Sequence, residues 1–266
     1  MAYGSLPTVP TWDSSQYLKF SNERTQPAID LAARIALDAP VNVVDLGCGP
    51  GNSTAVLARR WPQARLTGVD SSSEMISSAQ KQYPQWNWQT CDITNWSQSA
   101  KNHYDVIFAN AALQWVPDHT HLFPRLLGCV APGGAFAMQV PGNHDAPAHV
   151  IARELSSSPS WQSFFSEPVR EWSVQELPFY YDLLAPLATR MDLWTTEYLH
   201  VMPNADAIVE WYKGTGLRPF LEKLESPSDK TRFLSDYSAA IQTAYTPRAD
   251  GRVLFPFRRL FLIAYR

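Results

Sequence analysis

Over the first half of the chain, the spacing of hydrophobic and polar positions alternates between strand-like and helix-like segments. Residues 41–46 (VNVVDL) are a short β-branched run ending in glycines, the pattern of a buried strand. Residues 52–61 follow at helical spacing, with Ser53 and Thr54 near the start and Pro62 just past the end. A second strand is expected at 65–69. Three serines at 71–73 offer N-caps for a helix that Pro84 stops after about Tyr83. Residues 86–91 and 104–109 read as a third and fourth strand and 122–130 as a helix. Gly133 and Gly134 read as a turn into a fifth strand at 135–140. This β-α-β-α order predicts a Rossmann-like, doubly wound α/β fold with helices on both faces and right-handed connections. Ligands of such sheets bind beyond the C-terminal ends of the strands.

The second half changes character. Helical spacing is expected at 144–158, 177–187, 205–211, 219–224 and 231–245, and strand spacing at 193–201 and 257–265. Residues 156–172 are rich in serine, proline and aromatics and read as a loop or lid. The expected organisation is one domain over 1–266. Its core covers about 30–142, 177–202 and 253–266, and its cap or lid covers about 1–29, 143–176 and 203–252.

Composition narrows the function classes. Hydrophobic residues are 45% of the 266, enough for a core, and 22 basic against 25 acidic residues give a net charge of -3. That balance argues against nucleic acid as a partner. Three widely spaced cysteines, Cys48, Cys91 and Cys129, suggest neither a disulfide framework nor a metal site. The first residues lack the pattern of a secretory signal, and the weakly charged stretch 126–140 is broken by glycines and a proline. A cytoplasmic protein without a membrane partner is expected. The oligomeric state is not encoded legibly.

The chemistry concentrates after the first strand, in Asp45-Leu46-Gly47-Cys48-Gly49-Pro50-Gly51-Asn52. Glycines there allow positive φ and let backbone approach a ligand, and the next helix offers unpaired N–H groups. The dinucleotide fingerprint needs a glycine where Asn52 stands, and the phosphate loop needs a Gly-Lys-Ser/Thr end that is missing. Asp70 ends the second strand, where a carboxylate can accept ribose hydroxyls or cap the following helix. Asp92 follows the third strand and can accept from an exocyclic amine, with Ile93 beside it, or be an exposed loop aspartate. Asn110, Ala111 and Gln114 follow the fourth strand, as small and hydrogen-bonding residues or as a plain polar turn.

These residues resemble class I S-adenosylmethionine-dependent methyltransferases. Tyr17-Leu18-x-Phe20, Glu23-Arg24-x-x-Pro27-Ala28, Leu113-Gln114-Trp115-x-Pro117-Asp118-His119, Tyr180-Tyr181-Asp182 and Thr215-Gly216-Leu217-Arg218-Pro219 carry the resemblance further, to the trans-aconitate methyltransferase branch. It covers nearly the whole chain from about Trp12, with departures at 142–144 and 156–176. The resemblance implies a mostly parallel sheet with an antiparallel last strand and a helical cap. It implies S-adenosylmethionine as cofactor, with Asp45, Gly47, Cys48, Gly49, Gly51, Asn52, Asp70, Ser71, Met75, Asp92, Ile93, Asn110, Ala111 and Gln114 as its binding residues; Arg24 is a candidate for the cofactor's carboxylate or the substrate, set against an ion pair with Glu23 or Asp30.

A small polycarboxylic acid as substrate needs cations and hydrogen-bond donors for its carboxylates, and its carboxylate oxygen needs no general base. Arg218, between a glycine turn and Pro219, is the expected clamp, set against an ordinary surface arginine. Trp12, Tyr17, Trp115, Tyr180 and Trp211 are candidate substrate-binding walls; Trp12 and Tyr17 read equally well as docking aromatics of an N-terminal helix, and Trp115, Tyr180 and Trp211, each taken alone, read first as core. His144 is the candidate general base should the nucleophile be a hydroxyl or amine. Two alternatives stay open: a methyltransferase for another small metabolite, and a cofactor-binding scaffold that transfers no methyl.

Overall fold

The computed structural model describes residues 21–99, 103–167, 169 and 172–266, with side chains from residue 25. A seven-stranded sheet runs in the order β3-β2-β1-β4-β5-β7-β6. Its strands are β1 (Asn42–Leu46), β2 (Arg65–Asp70), β3 (Asn87–Thr90), β4 (Tyr104–Asn110), β5 (Val130–Pro141), β6 (Arg190–Met202) and β7 (Val253–Tyr265). The pairs β1–β2, β1–β4, β2–β3 and β4–β5 are parallel. Gly133 N donates to Arg266 O, and Gly142 N to Arg258 O, so β7 runs antiparallel to β5. The doubly wound, mostly parallel sheet with its antiparallel last strand is therefore the fold.

The chain forms two compact units. The first is Met1–Val140, Ser173–Trp194 and Phe261–Arg266, and the second is Pro141–Trp172 and Thr195–Leu260. In the first, β1 and β4 carry Val43, Val44, Leu46, Val106, Ile107 and Phe108, all buried, as strands covered on both faces require. Helices α1 (Ser21–Arg34), α2 (Asn52–Arg60), α3 (Ser73–Gln82), α4 (Ile93–Ser99), α5 (His119–Gly128) and α7 (Leu177–Leu184) belong to this unit. Ser72, the middle of the three serines, is the cap of α3, its hydroxyl accepting from Met75 N at 3.3 Å. Asp118 caps α5 in the same way for His121 N, so the expected start at residue 122 moves back one turn.

The second unit holds α6 (Pro147–Ser157), α8 (Ala205–Lys213), α9 (Arg218–Lys223) and α10 (Pro227–Ala244). Its core is aromatic: Trp211, Tyr212, Phe233, Tyr237 and Phe255 are buried. Trp161 is fully buried against Phe233, with its indole N–H donating to Asp236 at 2.9 Å.

Two sequence expectations need correction here. Gly133 and Gly134 do not turn the chain into β5 but lie within it, and the β4–β5 register shifts between Tyr104 and Val106. The physical reason is close approach: a Cβ on Gly134 would stand 2.6 Å from Asp105 O. Residues 156–172 are also not simply a loop, because α6 runs to Ser157 and turns carry the chain on to Trp161 in the core.

Candidate functional site

In the first unit, the turn from β1 into α2 forms a cradle. Gly47, Gly49 and Gly51 all take positive φ, at 70°, 53° and 96°. At Gly47 the need is also spatial, since a Cβ there would come within 2.2 Å of Ala112 Cβ. Ala111 shares the left-handed conformation at φ 53° and donates its N–H to Gln139 O, which ties the end of β4 to β5.

Acidic residues tie the cradle together. Asp45 is 1% exposed, and its Oδ2 accepts from both Ser53 Oγ and Thr54 Oγ1 at 2.6 Å. It thereby fastens β1 to the first turn of α2. Burial raises its carboxyl from 3.8 to about 6; the two hydroxyl bonds oppose this, and the charge of Asp70 adds to it. Asp70 accepts from Gly49 N and from Ser72 N, each at 2.9 Å. Burial raises its carboxyl too, against the pull of those backbone donors. Asp92 is exposed, and its Oδ1 accepts from Thr94 N and Asn95 N at the start of α4. That makes it a helix cap, the role missed for this position in sequence.

A small cleft of about 30 Å³ is lined by Thr25, Ala28, Gly47, Cys48, Gly49, Pro50, Asn52, Ser53 and Asn110. Five of the expected cofactor residues, Gly47, Cys48, Gly49, Asn52 and Asn110, meet there. Thr25 and Ala28 come from α1, and only their helical spacing in a segment of mixed polarity could have pointed to them. Three acceptor atoms in this region, Asp45 Oδ1, Asn110 Oδ1 and Gln114 Oε1, are buried without a hydrogen-bond partner among the described residues. No lysine or arginine is among the described residues that line the cleft. Such a site suits a ligand rich in donors or positive charge, and it is the wrong chemistry for a pyrophosphate.

The other expected cofactor residues with described side chains belong to the same unit. Ser71 is exposed after Asp70, Met75 and Ile93 are buried on α3 and α4, and Gly51 caps α2. Gln114, 4% exposed, donates to Ala111 O at 2.7 Å. Trp12, Tyr17 and the side chain of Arg24 lie outside the described residues.

Of the expected substrate residues, Trp115 and Tyr180 belong to the first unit and Trp211 and Arg218 to the second. Trp115 is half-buried in the turn after β4. Tyr180 is wholly buried, its hydroxyl 2.8 Å from His119 Nδ1 while accepting from Gln175 N. Trp211 is 2% exposed and packs on Phe255 and Phe257. The Nε of Arg218 donates to Glu222 Oε1 at 2.7 Å, one turn along its own helix.

A larger cavity of about 620 Å³ lies within the second unit, a size usual for small-molecule sites. It is lined by His144, His149, Arg153, Ser156, Ser157, Gln162, Phe165, Val169, Trp172, Gly216, Pro219 and Phe220. Of the expected residues only His144 is among them. Arg153 is its arginine, and sequence reasoning missed it because it sits in an unremarkable helical stretch. Burial, followed by the charges of His144 and Arg153, lowers the His149 imidazole from 6.5 to about 3, so it is neutral at physiological pH.

Comparison with known proteins agrees with this geometry. A methyltransferase domain family matches residues 43–134, the span from β1 into β5. A trans-aconitate 2-methyltransferase of Azoarcus sp. (strain BH72) is 51% identical over 258 residues, covering 97% of this chain and 100% of the relative. One from Rhodopseudomonas palustris (strain BisB18) is 48% identical, covering 96% and 99%. Among solved structures, the YcgJ protein of Bacillus subtilis aligns with a TM-score of 0.58 at 14% identity, over 91% of this chain and 99% of that one. Phosphoethanolamine N-methyltransferase 2 of Haemonchus contortus, solved with S-adenosylhomocysteine, aligns at 0.54 and 16% identity over 90% of this chain, which spans about half (52%) of that longer one. The fold is shared with both structures, and on the full-length identity to its relatives the chain belongs to the trans-aconitate 2-methyltransferase family.

Proposed function

We propose that the protein transfers a methyl group from S-adenosylmethionine to a carboxylate of trans-aconitate, as the names of its relatives indicate for them. The observation that carries this reading is the acceptor-rich cradle. Its unpartnered Asp45 Oδ1, Asn110 Oδ1 and Gln114 Oε1 suit the donors of a ligand bearing an ammonium, a ribose diol and an exocyclic amine. When bound, that cofactor supplies an electrophilic methyl on a sulfonium.

Each residue then has a stated task. Gly47, Gly49 and Gly51 let backbone approach the amino-acid end. Asp45 holds the start of α2 and offers Oδ1 to the ammonium. Asp70 keeps free lone pairs for the ribose hydroxyls while holding Gly49 N. Asp92 and Ile93 take the adenine, and Asn110, Ala111 and Gln114 flank the methyl. An acid's carboxylate oxygen, already an anion at neutral pH, would accept that methyl without giving up a proton. His144 therefore has no base to supply, and orientation with exclusion of water does the work. The substrate partner is a small acid and no nucleic acid is involved. No disulfide joins Cys48, Cys91 and Cys129, which suits a reducing cytoplasm.

The test is incubation of purified protein with methyl-labelled S-adenosylmethionine and a panel of trans-aconitate, cis-aconitate, citrate, isocitrate and itaconate. Base-labile label on trans-aconitate is expected. Base-stable label on the hydroxyl of citrate or isocitrate, with none on trans-aconitate, would sink the reading, and cofactor binding with no transfer would favour a scaffold.

A further inference from the structure

The cavity of the second unit has chemistry opposite to that of the cradle. One guanidinium, Arg153, lines it together with two imidazoles, two serine hydroxyls and the Gln162 amide, and none of the described residues lining it is acidic. Arg153 is half-buried on α6 and spends one donor on His144 O, at 3.0 Å. A guanidinium has five N–H donors, so a fork remains for a carboxylate.

His149 is held in place beside it. Its ring sits edge-on to Trp172 and Tyr212, with centroids 4.6 and 4.9 Å away. A Cβ on Gly216 would lie 2.9 Å from His149 Cε1, so the glycine makes room for the ring. His149 Nε2 is buried and has no hydrogen-bond partner among the described residues. A buried imidazole nitrogen left so needs a ligand or water to satisfy it.

Resting on the function proposed above, we infer that this cavity is the polycarboxylate subsite, with Arg153 as the fixed cation that clamps one carboxylate and His149 as a hydrogen-bonding partner. Arg153, rather than Arg218, then sets the preference for acids bearing several carboxylates. Ser156, Ser157 and Gln162 add donors without charge.

The experiment compares wild type, Arg153→Gln and Arg153→Lys in steady-state methyl transfer, with trans-aconitate titrated calorimetrically into each. Losing a charged hydrogen-bonding pair should raise KM for trans-aconitate, and weaken its binding, by about ten- to a hundredfold in the Gln variant. The Lys variant, keeping charge without the fork, should fall between. Affinity for S-adenosylhomocysteine and the melting temperature should stay as in wild type, which separates a binding role from a folding one. Unchanged KM in Arg153→Gln, or a larger rise in Arg218→Ala, overturns the subsite and leaves the reaction standing. If wild type methylates no trans-aconitate, the reaction falls and calorimetry alone judges the cavity. Binding lost in Arg153→Gln keeps it, and binding equal in both or absent from wild type overturns it.

Discussion

Asp45 gives the sharpest test of the cradle because its stability role and its ligand role pull in opposite directions. Burial lifts its carboxyl from 3.8 to about 6. In that window the folded chain binds more protons at this site than the unfolded chain. Stability therefore falls as pH rises from about 4 to above 6, then levels off. Holding a buried carboxylate ionised costs roughly 3 kcal/mol in all, of which about 1.4 kcal/mol falls between pH 5 and 7.5. Asp45→Asn cannot titrate, and its amide can still accept from Ser53 and Thr54. Relative to wild type, the Asn variant should gain about 1.4 kcal/mol between pH 5 and 7.5, or roughly 3–5 °C in melting temperature. Cofactor affinity should move the other way. In wild type it should strengthen as pH rises through about 6, and at pH 7.5 the Asn variant should bind about tenfold more weakly, having lost a charged partner for the ammonium. Thermal melts and calorimetry with S-adenosylmethionine across pH 5–7.5 read both effects. Parallel melting curves for the two proteins would refute the burial argument, and equal affinities would refute the ammonium contact.

Tyr180→Phe removes a buried hydroxyl that serves His119 and Gln175 N, so it should cost about 1–3 kcal/mol in denaturant unfolding while leaving KM for acid and cofactor unchanged. A raised KM for the acid would restore Tyr180 to the substrate site. Gly47→Ala forces a left-handed alanine against Ala112 and should destabilise by at least ~2 kcal/mol; Ala112→Gly in the same chain should recover the steric part but not the conformational part. Asp70→Ala should lower cofactor affinity tenfold or more by calorimetry and spare acid binding, and an unchanged affinity would contradict the ribose assignment.

What the sequence disclosed follows from which forces act locally. β1 and β4 were legible because strands covered on both faces need continuous apolar runs, and helix ends because caps and prolines act within one turn. The start of β5 was misplaced because Gly133 and Gly134 look like a turn. Their real requirement is the approach of Asp105 O from a neighbouring strand, which no local pattern carries. Helix α4 escaped because its seven residues are too few to show a period, so Asp92 read as a ligand contact or a loop aspartate rather than as the helix cap it is.

The site divides along the same line. The cradle was readable because it is nearly contiguous: one turn from Asp45 to Thr54 supplies the glycines, the carboxylate and the hydroxyls that hold it. The acid-binding face was not, because a cation is chosen by what surrounds it. Arg218 stands out in sequence for its flanking glycine and proline, but four residues on lies Glu222, at the helical spacing that lets a carboxylate take its Nε. Arg153 has Glu154 and no other acid within four residues, and adjacent helix positions do not face each other, so its guanidinium is not spent on its own helix. The periodicity that hides a functional arginine in a helix therefore also indicates which arginine keeps its donors for a ligand.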